Sequence, residues 1–284
     1  MKHQKKVLLM GGMGNQFFQI ARALSFKQKN VEVELVFVGG IMLNLYKLTG
    51  HTIHGDWLDT KELANCLAIK MRPIRFFELM SLGVIFAARR LGIPVRFDET
   101  IEDALLRDPD LSNKNFDVGY FQTCDHVSQD SLEQVADALI SILAIKESEG
   151  RDEMVCHVRG GDFQNSDRFS ESAFSTMIET ALSLSLRLVA VTNDQFFCIE
   201  LFQNCSYTLY EGKSAEEDFI KLATSSNIYL CNSTFAFWAA LSSVRSHGAT
   251  VYVPVNWPFR KIYPLLEKIG IPKAISESLR PISI

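Results

Sequence analysis

The sequence has no closely spaced cysteine pair, no long apolar run and no excess of positive charge. Its six cysteines lie far apart along 284 residues, so we expect reduced core thiols in a cytosolic protein, and neither disulfides nor metal ligands. No uncharged apolar stretch reaches the roughly 18 residues that a membrane-spanning helix needs. A net charge of −4 argues against nucleic-acid binding through bulk positive charge.

The features that are present favour an α/β fold with two domains. Hydrophobic residues make up 47% of the chain and charged residues 22%, a globular composition long enough for two cores. Beyond residue 150, apolar strand-like runs alternate with helical spacing, which predicts a parallel sheet with helices on both faces. The charged run K-E-S-E-G-R-D-E at 146–153 can bury little. We therefore predict an N-terminal domain over 1–149 and a C-terminal domain over 150–284.

One stretch, M-V-C-H-V-R-G-G-D-F at 154–163, places polar side chains at the end of a predicted buried strand. His157, Arg159 and Asp162 lie where the strand meets two glycines. Ligands of open α/β sheets bind beyond the carboxyl ends of the strands. A guanidinium at this place suits a phosphate, because it binds two oxygens at once and never loses its charge. A surface pair between Arg159 and Asp162 is the alternative.

Two further polar clusters follow predicted strands. Asn193 and Asp194 follow the apolar run 186–192, and Asn232-Ser233-Thr234 follows the run 227–231. Carboxyl ends of parallel strands meet at one edge of a sheet, so we expect these clusters to converge with the stretch at 157–162. The hydroxyls at 233 and 234 open a predicted helix, where capping and phosphate binding use the same free N–H groups.

The N-terminal half opens with a strand, a glycine turn and a helix, through the run G-G-M-G-N-Q. The dinucleotide pattern G-x-G-x-x-G is met at Gly12 and Gly14 but not at Phe17. Glu32 and Glu34 lie near the expected ribose-binding acid. A dinucleotide-dependent oxidoreductase is therefore one interpretation of this turn, and a tight turn without a ligand is another.

The segment 69–97 is basic and rich in large apolar residues. It carries Lys70, Arg72, Arg75, Arg89, Arg90 and Arg96 against the single acid Glu78. Such a composition is typical of segments that lie on an anionic membrane surface. Peripheral contact with the inner face of a membrane is one interpretation, and an ordinary buried helix with solvated ends is the other.

Five motifs in order resemble those of the bacterial α-1,2-fucosyltransferases. They are G-G-M-G-N-Q-F-F-Q-I-A at 11–21, G-Y-F-Q at 119–122, H-V-R-G-G-D-F at 157–163 (similar to the family's H-x-R-R-G-D), T-N-D at 192–194, and D-F-I-K-L-A…I-Y-L-C-N-S-T-F-A-F-W at 218–238. The resemblance implies two facing Rossmann-like domains, the GT-B arrangement, with GDP-fucose held mainly by the C-terminal one. It also implies metal-independent transfer of fucose, with inversion, to the 2-hydroxyl of a galactose.

The resemblance also assigns roles to residues of this chain. Arg159 and the groups at 233–235 would stabilise the departing diphosphate, with Asp162 and His157 completing the catalytic set. Asp218 would accept hydrogen bonds from guanine. The implied donor-contacting residues are Gly14, Asn15, Gln16, Asn193, Asp194, Asp218, Asn232, Ser233, Thr234 and Phe235. The general base stays open between Asp162, His157 and the leaving phosphate.

One position departs from the family's pattern, because the second arginine of the motif is Gly160 here. Either Arg159 suffices, or another cation such as Arg22 or Arg168 substitutes, or activity is weaker. A nucleotide-sugar-binding protein without turnover is thus the alternative to an enzyme. For an enzyme, the expected acceptor is a galactose-terminated glycan or lipid-linked oligosaccharide, as in the synthesis of O-antigen or another surface polysaccharide.

Overall fold

The computed structural model of the chain describes residues 4–37, 60–75, 116–117, 120–122, 125–147, 150–160, 171–231 and 233–253. By its internal contacts the chain divides into two compact units, Met1–Val135 and Ala136–Ile284. This division falls inside a helix, whereas the boundary at 149/150 stays a prediction. Both units are α/β with parallel strands, which confirms the predicted fold class. The facing arrangement of the two units stays a prediction.

The first unit is built on a four-stranded parallel sheet. Its elements are β1 (Lys5–Leu9), α1 (Met13–Gln28), β2 (Val33–Phe37), α2 (Thr60–Cys66), β3 (Lys70–Pro73) and β4 (Phe116–Asp117), followed by the start of α3 (Gln129–Ile142). The strand order is β3-β2-β1-β4. The chain therefore runs outward from β1 to β3 and then returns to the other side of β1, so that β1 and β4 flank the point where the direction reverses.

The second unit has a five-stranded parallel sheet. Its elements are β5 (Glu153–Val158), α4 (Glu171–Ser183), β6 (Arg187–Thr192), α5 (Gln195–Leu201), β7 (Tyr207–Tyr210), α6 (Ala215–Ala223), β8 (Asn227–Tyr229), α7 (Thr234–His247) and β9 (Thr250–Tyr252). The order β7-β6-β5-β8-β9 places the reversal between β5 and β8. A crevice at the carboxyl ends of those two strands is where open α/β sheets bind ligands.

The core of the second unit explains why β5 is central. Met154, Val155 and Cys156 are fully buried, as expected for a strand covered on both faces. Helix α7 is also apolar nearly all round, with Trp238 fully buried. The site at the end of β5 therefore rests on a rigid strand and a rigid helix.

The cysteines within the described residues are free thiols. Cys156, Cys198 and Cys231 are buried in the second unit, and Cys205 is half-buried there. Burial is the first cause that raises the pKa of the Cys198 thiol to about 12, so this thiol is inert at neutral pH. Cys66 is exposed, contrary to the expectation of core thiols throughout.

The basic segment 69–97 begins as a strand and not as a helix. Within β3, Lys70 and Arg72 pair with the buried Glu34 of β2 at 2.6 and 3.0 Å. Burial alone would raise the pKa of Glu34, but hydrogen bonds from the two cations lower it below its usual value. These two cations therefore stabilise the sheet of the first unit. Residues 76–97 lie outside the described residues, so membrane contact through them stays a prediction.

The described helices were compared with the dimensions of a bilayer. Among them, none combines the length and the apolar composition that crossing a membrane requires.

Candidate functional site

The exits of β5 and β8 meet at the reversal point of the second sheet. Nδ1 of His157, the penultimate residue of β5, lies 3.1 Å from the hydroxyl of Ser233, which follows β8. The same hydroxyl caps α7 by accepting a hydrogen bond from the amide of Ala236 at 3.3 Å. The ring of Phe235 packs on the imidazole with ring centroids 5.0 Å apart. The end of the central strand and the N-terminus of a 14-residue helix are thus joined through one hydroxyl.

The histidine in this contact is neutral. Burial, and then the nearby positive charge of Arg159, lower the pKa of His157 to about 3. If the Ser233 hydroxyl, which accepts from Ala236, gives its own hydrogen to Nδ1, the ring proton lies on Nε2. A general base works best with a pKa near the operating pH, so an imidazole with a pKa near 3 is a poor base. His157 therefore fits an orienting role better than proton abstraction.

We expect the imidazole of His157 not to titrate between pH 5 and 8. In NMR spectra, its ring resonance, identified by its absence from the spectrum of His157→Asn, should keep a constant chemical shift over this range. In urea-unfolded protein the same ring should titrate near its ordinary value of about 6.5. Since the folded pKa is depressed, the stability contribution is complete above pH 6.5 and is lost as the pH falls towards 3. A midpoint near 6.5 in the folded protein would contradict a buried neutral ring.

The exit of β6 lies beside the exit of β5, and its side chains bind backbone groups. The amide oxygen of Asn193 accepts a hydrogen bond from the backbone N–H of Gly160 at 3.1 Å. The carboxylate of Asp194 accepts from the amide of Phe197 at 3.1 Å and so caps α5. Both atoms are engaged in holding turns. Direct contact of Asn193 and Asp194 with the nucleotide stays a prediction.

Gly160 has a steric reason to be glycine. A β-carbon at this position would overlap Cβ of Asp194 and lie 2.7 Å from its Cγ. Cβ belongs to the rigid base of the side chain, so rotation of the carboxylate would not relieve the clash. The family's second arginine is therefore incompatible with this packing of Asp194. Sequence analysis identified the missing cation but had no way to find this cause.

Asp218 lies in the first turn of α6, beyond the exit of the edge strand β7. Its carboxylate packs on the backbone of Gly212, where an added β-carbon would lie 3.0 Å from Cγ. Burial, and then the charge of Glu217, raise the pKa of Asp218 to about 6. The same two acids contribute to the raised pKa of the Tyr210 hydroxyl, after burial. A carboxylate kept at a raised pKa reduces stability at neutral pH, which is typical of a binding position.

We expect the affinity for GDP-fucose to depend on pH through Asp218. If the ionised carboxylate accepts from guanine, affinity should rise up to about pH 6 and level off above it, with about a tenfold loss per pH unit below. Asp218→Asn should weaken binding at pH 8 and abolish this dependence. Because the folded pKa is raised, the substitution should also increase stability at pH 8. Binding can be measured by calorimetry and stability by urea denaturation.

The exposed Glu216 in the same helical turn provides the matched control. Glu216→Gln removes one negative charge without touching the half-buried carboxylate. It should leave both the affinity and its pH dependence unchanged. Unchanged affinity in Asp218→Asn would remove Asp218 from guanine recognition.

Several predicted positions have no described placement. Asp162, Asn232, Gly161 and Arg168 lie outside the described residues. Thr234 and Phe235 form the first turn of α7, next to the capping Ser233. Phe235 also packs edge-on against Phe219 of α6, with centroids 5.4 Å apart. The roles of these residues in binding a donor stay predictions.

The first unit has its own group of amides at the carboxyl end of β1. The amide of Gln122 donates to Oδ1 of Asn15 at 3.0 Å. Gln16 donates to the carbonyl of Gly11 at 3.0 Å and accepts from the hydroxyl of Thr60 at 3.1 Å. The motifs at 11–21 and 119–122 therefore come together, as neutral donors and acceptors. Sequence analysis missed Thr60, which carries no motif and lies 44 positions from Gln16.

The acids proposed for a dinucleotide site lie at the wrong end of the first sheet. Glu34 pairs in register with Lys6, and the carbonyl of Glu32 accepts from the amide of Lys5. At about 3.3 Å per residue, Glu32 is some 16 Å from the carboxyl end of β2 at Phe37. In addition, Glu34 binds two cations, as described above. The oxidoreductase interpretation therefore does not fit the described residues.

Arg22, one suggested substitute for the missing arginine, is held inside the first unit. Its guanidinium donates to Asp117 at 2.8 Å and to the carbonyl of His126 at 2.9 Å. It also stacks over Phe26, 4.3 Å from the ring centroid. These contacts give Arg22 a packing role.

Metal binding was also considered. Within the described ranges, no three His, Cys, Asp or Glu side chains gather as a metal site would need. The metal-free reaction implied by the motifs stays a proposal.

Comparison with known proteins gives one family. The family model described as glycosyl transferase family 11 matches residues 103–262, more than half of the chain. This match confirms the resemblance drawn from the motifs. No curated protein sequence matches the chain.

Three solved structures illustrate the similar folds. E. coli heptosyltransferase WaaC with ADP-2-deoxy-2-fluoro heptose is 10% identical, with 88% of each chain covered and a TM-score of 0.45. NodZ alpha-1,6-fucosyltransferase soaked with GDP-fucose is 14% identical, with 89% of this chain and 96% of that one covered and a TM-score of 0.44. POFUT1 in complex with GDP-fucose is 9% identical, with 87% and 96% covered and a TM-score of 0.40.

Proposed function

This chain belongs to glycosyl transferase family 11, and from that premise we propose that it transfers L-fucose from GDP-β-L-fucose to the 2-hydroxyl of a galactose residue. The proposed reaction inverts the donor's anomeric centre, gives an α-1,2 linkage and needs no metal. The observation that carries the proposal is the contact between the exits of β5 and β8, which puts Arg159 near the N-terminus of α7 at the reversal point of the sheet.

The departing diphosphate is the group that this site suits best. Glycosyl transfer breaks a bond to a phosphate oxygen, and negative charge grows there in the transition state. Catalysis requires that this charge be bound more tightly in the transition state than in the ground state. The guanidinium of Arg159 supplies a permanent positive charge. The N-terminus of α7 adds free amides and the positive end of the helix dipole.

The guanine base is proposed to bind at the carboxylate of Asp218. Guanine presents two neighbouring N–H donors, and an ionised carboxylate accepts both. Asp218 lies beyond β7, at the same carboxyl edge of the sheet as Arg159. This placement would let one nucleotide extend along the edge from Asp218 towards the end of β5.

The sugar and the acceptor are proposed to use the amides of the first unit. Asn15 and Gln16 are neutral groups that can donate to and accept from hydroxyls. The acceptor proton goes either to Asp162 or to the leaving phosphate, because the buried His157 is a poor base. We propose a galactose-terminated glycan or lipid-linked oligosaccharide as acceptor, in surface polysaccharide synthesis such as that of O-antigen, with peripheral membrane contact through 76–97.

The test is product analysis with GDP-fucose and a β-galactosyl disaccharide. We expect release of GDP and a trisaccharide whose NMR spectrum shows an α-linked fucose on O2 of galactose, with and without EDTA. The matched control is the 2-deoxy-galactosyl disaccharide, which should not be fucosylated. Transfer to the 2-deoxy compound would exclude the proposed linkage. Tight GDP-fucose binding without a product would indicate a nucleotide-sugar-binding protein.

A further inference from the structure

Both peptide groups that flank Arg159 are held by side chains from the exit of β6. The carbonyl of Val158, in the peptide before Arg159, lies 2.7 Å from the hydroxyl of Thr192. The N–H of Gly160, in the peptide after Arg159, donates to the amide oxygen of Asn193 at 3.1 Å. The two contacts are made by adjacent residues of one strand end and grip adjacent peptides of the other.

Holding these two peptides fixes the direction of the side chain between them. Each peptide group is planar, so the conformation of a residue is set by the orientation of the planes on either side. With both planes held, the Cα–Cβ bond of Arg159 has one direction. The clamp is itself anchored, because the Thr192 hydroxyl also accepts from the amide of Asp194 at 3.0 Å, and Asp194 caps α5.

We propose that Thr192 and Asn193 are positioning residues, which aim Arg159 at the diphosphate of the donor. The proposal deepens the proposed function and rests on it. In this role the T-N-D motif acts through the backbone of the neighbouring strand. Its two side chains act without direct contact to the nucleotide.

The chemistry of the guanidinium explains why its direction matters. Bidentate binding of a phosphate requires a planar fork in one orientation. The arginine side chain is long and loses rotamer freedom when it is held. A displacement of about 1 Å at a catalytic group can cost a hundredfold in rate. A fixed backbone at Arg159 therefore increases the fraction of molecules that are ready to react.

The test is a set of double-mutant cycles with Arg159. Thr192→Val and Asn193→Ala should each lower kcat/KM for GDP-fucose by between about tenfold and a hundredfold, and each should weaken GDP binding. In the Arg159→Ala background, the same substitutions should have no further effect on GDP affinity. Thr192→Ser, which keeps the hydroxyl, should retain near-wild-type values. A residue that contacts the nucleotide directly would instead give additive losses.

A second measurement observes the clamp without relying on turnover. Hydrogen exchange at the Gly160 amide, followed by NMR, should be faster in Asn193→Ala than in the wild type. The matched control is Asn227→Ala at the opposite edge of the same sheet, where Asn227 bridges the carbonyls of Arg151 and Glu153 at 2.9 and 3.1 Å. This control loses similar bonds but should change neither the Gly160 amide nor kcat/KM.

The outcomes separate the clamp from the proposed function. Additive losses in the Arg159→Ala background, or unchanged exchange at Gly160, would overturn the clamp. A wild-type protein that neither binds GDP nor consumes GDP-fucose would overturn the proposed function. In that case the exchange experiment still decides whether Asn193 holds the Gly160 peptide.

Discussion

Arg159→Ala is expected to lower kcat by about tenfold to more than a hundredfold while the protein stays folded. A hydrogen bond to a charged group contributes about 1.5–3 kcal/mol, and each 1.4 kcal/mol corresponds to about a factor of ten in rate. The loss should appear in kcat as well as in kcat/KM, because the phosphate charge grows in the transition state. Steady-state kinetics with GDP-fucose would measure it, with urea denaturation to check stability.

Two further variants sharpen this expectation. Arg159→Lys keeps the charge but not the planar fork, so its activity should lie between that of the wild type and that of the alanine variant. Arg187→Ala removes a cation from the opposite edge of the same sheet, where Arg187 pairs with Asp152 at 2.9 Å on the surface. That control should keep full activity. Near-normal kcat in Arg159→Ala would remove the guanidinium from this role.

Gly160→Arg is expected to inactivate the protein, although it restores the second arginine of the family's motif. Its β-carbon would overlap Cβ of Asp194, so the loops after β5 and β6 would have to separate. Overpacking of this kind costs about 1–3 kcal/mol in stability. The displaced backbone would also carry Arg159 away from its position. Thermal unfolding and turnover should therefore both fall.

The companion variants test the cause. Asp194→Ala keeps the clashing β-carbon, so adding it to Gly160→Arg should restore nothing. Asp194→Gly removes that carbon, and the double variant Gly160→Arg with Asp194→Gly should recover stability relative to Gly160→Arg alone. Full activity in the single Gly160→Arg variant would show that the loops separate without harm, and the steric explanation would be wrong.

The strand order of the second unit followed from the sequence, while the contacts of its side chains did not. Alternating apolar runs and helices predicted parallel strands, and polar clusters at their ends predicted a shared edge. The clusters after β5 and β6 do meet, through Gly160 and Asn193 at 3.1 Å. That Asn193 binds a backbone amide depends on distances, which no sequence pattern contains.

Two elements escaped prediction for identifiable reasons. Helix α5 has only seven residues, and its Phe196 and Ile199 are 84% and 53% exposed, so no buried stripe marks it. Strand β3 carries Lys70 and Arg72, which read as a basic surface. Their partner Glu34 is distant in the sequence and buried in β2, and it accounts for both cations.

The hydroxyl of Ser233 serves two masters at once, since the same oxygen ends a helix and touches the imidazole of His157. Selection for folding and selection for turnover therefore act on a single atom. Random mutagenesis scored by activity would recover changes at this serine as unstable proteins. They would be discarded as uninformative, although they report on the reaction centre.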